Sequence, residues 1–440
     1  MRKKLLLVLC FFVSAMIFAE GQQDAKIEVE SSADISGKVE IIVPTGGFYV
    51  ETFTEYFLPL VADKLPNVEV LISAESSEGT SGTEAIKARI AAGDIPDLYI
   101  GPRGAVAANY ARENQLVALD SIEGYADIKS RIMPNLIDES LGKLYYFPYE
   151  AITTLMIYNK DLFIEAGLDP NKPPETWDDF LSYAEKIFNL PERSWGASVF
   201  GATTWTEALN WGSWYWNMLA PVYANFNNGN ADLFNDFGTD IIFDKPENNL
   251  KEFFAYMKEL HKFAPDAMDK RIWNREVAMW PQFGVGWRAN LDLGRDKPMV
   301  LGEDVAVAPI PVLEEGMTHW TMHGGRGLVM FKTNSEREKV AFEVLKLMFD
   351  EGFYLNYCKD LSVLPVIPTV AEDDFFQGPE IKPFVDALDN MVEEESYPAW
   401  DDVASIMLTA LGQVMITGEL TPEEAVEYAA IESRKVLEKY

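Results

Sequence analysis

The densest chemistry-bearing stretch of the chain is aromatic. Trp195, Trp205, Trp211, Trp214, Tyr215 and Trp216 fall within 22 residues, a span that holds five of the eleven tryptophans. On a helix, Trp211 shares a face with Trp214 and Tyr215, while Trp216 points elsewhere. One face can then meet a cleft and the other a core. Aromatic faces pack against the apolar C–H faces of a pyranose, and polar tips catch its hydroxyls. The competing reading is a Trp-rich core helix. Phe48 and Tyr49 are candidates of a second kind. They follow a short apolar strand, Val39 to Val43, and a Pro44-Thr45-Gly46-Gly47 turn. Open α/β sheets take ligands at the C-terminal ends of their strands. The bland alternative is that these two rings staple the next helix to its own lobe. Glu75 opens a polar loop after the second strand, Val68 to Ala74, and is a third candidate.

Other chemistries lack their residues. The chain has three histidines; His319 and His323 are four apart, but no Glu follows the first, so a zinc-protease helix fails. No acidic run has calcium-loop spacing. Gly324-Gly325-Arg326-Gly327 has no Lys-Ser/Thr after it and leads into a strand, so it is not a nucleotide loop. Tyr145 and Tyr146 invite comparison with ferric-ion ligands, but adjacent residues of a strand face opposite ways. The expectation is no metal, no cofactor and no enzymatic role. Seventy acidic residues nevertheless leave a glycosidase carboxylate pair open.

The elements that position these residues alternate strand and helix, which is the pattern of α/β lobes. At 440 residues the chain exceeds one ordinary domain, and 48% apolar content supports sizeable cores. A net charge of −33 argues against nucleic acid and anionic membranes as partners. Residues 1–19 read as a secretion signal: Arg2-Lys3-Lys4, an apolar run from Leu5 to Phe18, then Ala19. Leu9 before Cys10 disfavours a lipidation box, so a lipid-anchored form is the lesser reading. Residues 20–37 read as a flexible tether. The mature chain would hold one cysteine, Cys358, expected buried and inert.

Gly142 to Phe180 ties the reading together. Leu144 to Ile157 has strand composition broken at Pro148 and Glu150. Asn159 to Ala166 reads as a helix stopped by Gly167, and Thr176 caps the next. Tyr145, Pro148, Tyr149, Tyr158-Asn159-Lys160-Asp161-Leu162-Phe163, Ala166-Gly167, Pro174 and Thr176-Trp177-Asp178 with Phe180 stand in order and spacing. This run resembles the signature of extracellular solute-binding proteins of the sugar-binding class that serve ABC importers, where it crosses from one lobe to the other. Residues 91–102, Ala278 to Trp287, Gly324 to Met330 and Leu361 to Pro365 resemble four further family segments.

The resemblance implies further site residues. Arg103 stands where relatives place a ligand-contacting pair, although this chain lacks the aromatic member and a bracing role competes. Glu150 lies two residues from the expected hydrogen-bonding acid. Trp287 matches a sugar-stacking tryptophan, with Arg288 beside it. Gly325 and Arg326 occupy the second crossover, and Trp400 stands where relatives keep a stacking aromatic. The implied fold is an α/β, two-lobed periplasmic-binding-protein fold of type II, with the ligand cleft between lobes joined by hinge crossovers. The expected lobes are 38–150 plus 323–368 and 151–322 plus 369–440. The implied function is the substrate-binding component of an ABC importer: a periplasmic monomer that captures a carbohydrate, expected to be an oligosaccharide, and delivers it to permease subunits. The alternatives are a secreted carbohydrate-active enzyme, or the same binding role for a polyamine or other small solute.

Overall fold

The computed structural model describes residues 35–46, 48–75, 79–139, 141–191, 196, 219–263, 272–292, 296–322, 324–392 and 395–440, with backbone alone at 79–82. Its strands are β1 (Ser36–Pro44), β2 (Asn67–Glu75), β3 (Leu98–Gly101), β4 (Tyr146–Pro148), β5 (Thr154–Asn159), β6 (Met279–Gly284), β7 (Val305–Ala308), β8 (Thr321–Met322), β9 (Gly327–Met330) and β10 (Met391–Val392). They form a five-stranded sheet in the order β2-β1-β3-β9-β4, a three-stranded sheet β6-β5-β7 and a pair β10-β8.

The first sheet is covered on both faces, and its sequence says so. The second half of β1, Ile41-Ile42-Val43, is apolar without alternation and buried throughout, as a strand covered on both faces must be. Val39, Ile41 and Val43 enter one apolar cluster with Leu98, Phe147, Leu328 and Met330. Ile42 enters another with Tyr99, Tyr146, Val329 and Phe331. β1 pairs in parallel with β2 and β3, whereas β9 runs antiparallel to both β3 and β4. The C-terminal ends of β1, β2, β3 and β4 and the N-terminal end of β9 therefore lie along one edge.

The second sheet belongs to the other lobe. Met156 and Tyr158 of β5 pack with Trp177, Phe226, Phe254 and Met407, among helices Trp177–Phe188, Leu219–Phe226, Leu250–His261 and Trp400–Gly412. Leu155 and Ile157 face the other way and share a cluster with Trp280, Phe283 and residues of the first sheet. The apolar core thus continues through the junction. Segment 369–388 joins that shared cluster through Val370, Phe376, Ile381, Phe384 and Leu388.

Three chain segments cross side by side at the junction. Ala151 bridges Leu364 and Ile152 bridges Gly324, both antiparallel. Thr154 N–H donates to Thr321 Oγ1 at 2.7 Å, and that hydroxyl donates back to Thr154 O at 2.7 Å. The break expected at Pro148–Glu150 is the gap between β4 and β5. The capped start expected at Thr176 appears, and Asn159 and a Thr421/Glu424 box hold two further helix N-termini. One differs. The cap of the helix Ser335–Met348 is Asn334, whose side chain accepts from Arg337 N–H, while Glu338 reaches back to Thr333 N–H. Among the described residues no helix is long and apolar enough to cross a membrane.

Candidate ligand-binding site at the sheet edge

Glu150 is the hub of the edge. It follows β4, and its carboxylate is fully enclosed. A buried carboxylate persists as an anion only when it is paired and hydrogen-bonded. Arg326, at the start of β9, donates to Oε2 at 2.8 Å. Tyr49, beyond β1, donates to Oε1 at 2.9 Å. Tyr357, from the helix Glu351–Leu361, donates to the same oxygen. Arg326 Nη1 also donates to Tyr49 Oη at 2.9 Å, with the guanidinium 5.6 Å from the Tyr49 ring centroid. Burial first, and then the Glu150 charge, pushes the Tyr49 phenol far above its ordinary range. Tyr357 moves the same way for the same two causes.

The crossovers come close enough to exclude side chains. Gly325 has φ +108°, and a Cβ there would lie 2.2 Å from Glu150 O. Tyr149 and Glu150 N–H both donate to Arg326 O, at 2.9 and 3.0 Å. A Cβ on Gly327 would lie 2.3 Å from Pro102 O. Glycines here let the two chains and the strand ends meet. The Arg326 side chain keeps 21% exposure, so part of the fork still reaches solvent while Glu150 fixes its direction.

Tyr99, which sequence reasoning passed over, belongs to the same edge. Its ring lies over Gly101, where a Cβ would stand 2.8 Å from the ring and 3.0 Å from the hydroxyl. Burial pushes the phenol up to about 12, with Arg326 pulling it down and Glu75 pushing it up. A tyrosine followed two residues later by glycine at a strand end was the available signal. Tyr357 was hidden differently: it stands 207 residues from its partner, and no local pattern links them.

The other expected residues have these places. Phe48 is 63% exposed beside the edge, whereas Tyr49 is buried. Glu75 closes β2, half-buried, 3.9 Å from Arg89. Arg103 is buried at the N-terminus of the helix Gly104–Arg112. Trp287 lies across the crossover on the turn Val285–Leu291, half-buried against Trp280 at 4.7 Å and Trp273 at 5.9 Å. Arg288 donates to Val285 O and approaches Glu380 at 3.5 Å, and burial lowers its pKa. Trp400 differs from the expectation of a stacking aromatic. It is 2% exposed inside the second lobe's core and bonds Glu395. Trp211 and Trp214 lie outside the described residues. Among the described residues, no group of three or more His, Cys, Asp or Glu is placed to hold a metal ion.

Residues 51–353 match the family model described as bacterial extracellular solute-binding protein, which covers more than half of the chain. The chain belongs to the bacterial extracellular solute-binding proteins. Curated relatives within reach include the sn-glycerol-3-phosphate-binding periplasmic protein UgpB of Brucella abortus (strain 2308), 37% identical over 150 residues, 32% of this chain and 30% of that protein. UgpB of Escherichia coli (strain K12) is 36% identical over 151 residues, 32% and 31% of the two chains. The match thus spans about a third of the length of these relatives. Among solved structures, the cyclic alpha-maltosyl-1,6-maltose binding protein of Arthrobacter globiformis is similar with TM-score 0.74 and 19% identity, covering 92% of this chain and all of that one. The sugar-binding protein MalE of Xanthomonas citri has TM-score 0.71 and 17% identity, covering 92% and 98%. These likenesses show the solute-binding protein's fold: two α/β lobes of the type II periplasmic-binding class. The edge of its first sheet and the three crossovers are where its lobes meet.

Proposed function

We propose that this solute-binding protein captures a carbohydrate between its lobes and delivers it to the permease subunits of an ABC importer, without chemical change to the ligand. The observation that carries the reading is the convergence of five strand ends on the junction. There Glu150 orients the partly exposed Arg326, with the exposed Phe48 ring alongside. Hydrogen-bond donors and aromatic faces in one place suit a polyol ring. The named ligands of similar proteins, maltose-type sugars among them, support the same class.

The match to glycerol-3-phosphate-binding proteins favours a second reading, a phosphorylated polyol. Charge weighs against it at this edge. Glu150 neutralises Arg326, and the acidic chain as a whole repels anions. A guanidinium already paired is a directional donor to hydroxyls more than a net positive charge. Titration with maltose, maltotriose, sn-glycerol-3-phosphate and spermidine, followed by tryptophan fluorescence, tests the choice. A saturable change with a saccharide is expected. A response to glycerol-3-phosphate or spermidine and to no saccharide would overturn the carbohydrate assignment. Recovery of the bound sugar unaltered would separate capture from hydrolysis.

A further inference from the structure

Segment 395–402 of the second lobe follows β10, which pairs with β8 at the crossover, and touches the first lobe beside it. Ser396, 3% exposed, donates to Asp138 Oδ2. Asp138 also receives Tyr146 Oη at 3.2 Å, which ties it to β4 of the first sheet. Ser396 is held from behind: Glu395 accepts Leu233 and Phe234 N–H at 2.8 and 3.0 Å, and Tyr397 packs on Phe234 at 5.4 Å. A crevice of about 220 Å³ runs between the two sides.

A second contact spans the lobes through Tyr440, which the same segment holds at Asp402. Asp402 accepts the Tyr440 hydroxyl at 3.3 Å, and the Tyr440 ring lies 5.1 Å from the guanidinium of Arg112. Arg112 ends the helix Gly104–Arg112 of the first lobe. At the start of that helix, Ala105 is buried within the second lobe's apolar cluster.

We propose that 395–402 is a latch, a set of protein–protein contacts that holds the lobes together independently of any ligand. The crossovers join the lobes covalently, whereas the latch contacts are noncovalent. A contact made in one conformation alone shifts the population toward it. Loss of the latch lowers the closed fraction, and apparent ligand affinity falls in proportion to the competent fraction. The Ser396–Asp138 bond is the stronger member, because its donor is buried and its acceptor is a carboxylate that Tyr146 also holds. The Arg112–Tyr440 contact is exposed and weaker.

The test needs no ligand. In the ligand-free full chain, Asp138→Cys with Ser396→Cys is expected to form a disulfide under mild oxidant. Adding Arg112→Ala should slow that reaction about fivefold, because both contacts draw on one closed population. No disulfide in a pair variant with native circular dichroism would overturn the latch, as would a rate unaffected by Arg112→Ala. If the pair variant does not fold, Arg112→Ala and Tyr440→Ala alter exposed residues alone. A larger radius of gyration than wild type in X-ray scattering then supports the latch, and equal radii overturn it. Failure here leaves the ligand assignment untouched.

Discussion

At the residue scale, Glu150 decides the character of the site. Its carboxylate is enclosed and takes three donors from three chain segments. Glu150→Ala would leave Arg326 without its counter-charge in a largely dry setting. Breaking such a pair costs about 3 kcal/mol, with the residual exposure of Arg326 keeping it near the lower end. Chemical denaturation should read that loss, and Glu150→Gln, which keeps the shape, should lose less. A change below about 1 kcal/mol for the alanine variant would show the network to be structurally idle. Glu395 carries a different signature. Burial first, and then Asp232, pushes it up to about 8, against the pull of Leu233 and Phe234 N–H and Trp400. The folded state therefore keeps a proton that the unfolded chain releases near 4.5. Stability from this group is intact below that value and declines as pH rises toward 8. Melting temperature should fall over that window, and the fall should be shallower in Glu395→Gln. Parallel melting curves against pH would contradict the assignment.

At the scale of elements, glycines at the crossovers set the junction. Gly325→Ala meets both a left-handed backbone and a carbonyl 2.2 Å away. Loss of about 3 kcal/mol or failure to fold is expected, read by thermal unfolding. A native-like melting temperature would mean that the two crossovers can part freely. Much of this scale was legible in the sequence. The apolar strand at Val39 to Val43, the cap at Thr176 and the break after Pro148 are local signals, and each appears where the residues put it. Trp400 shows why the rest was not. Placed at the start of a helix, it looked available to a ligand. Yet Val403, Ala404 and Met407 lie three, four and seven positions on, which is the spacing of one buried face, and the ring follows them inward. The partners of Glu150 were invisible for another reason: they are fixed by strand order and crossover register, which bring residues 49, 150, 326 and 357 together across more than 300 positions.

At the scale of the molecule, two lobes share a continuous core at the crossovers and make further contacts beside them at 395–402 and through Tyr440. That arrangement suits a solute-binding protein whose closure is resisted and aided by the chain itself, with the ligand adding the decisive contacts. The measurement that tests this most directly is X-ray scattering of the full chain with and without each of maltose and maltotriose, alongside the fluorescence titration. The radius of gyration should fall when a saccharide saturates the tryptophan signal, and the sugar should be recovered intact. A saccharide that binds without any change in radius, that is hydrolysed, or that fails to bind at all would contradict capture of a carbohydrate by lobe closure.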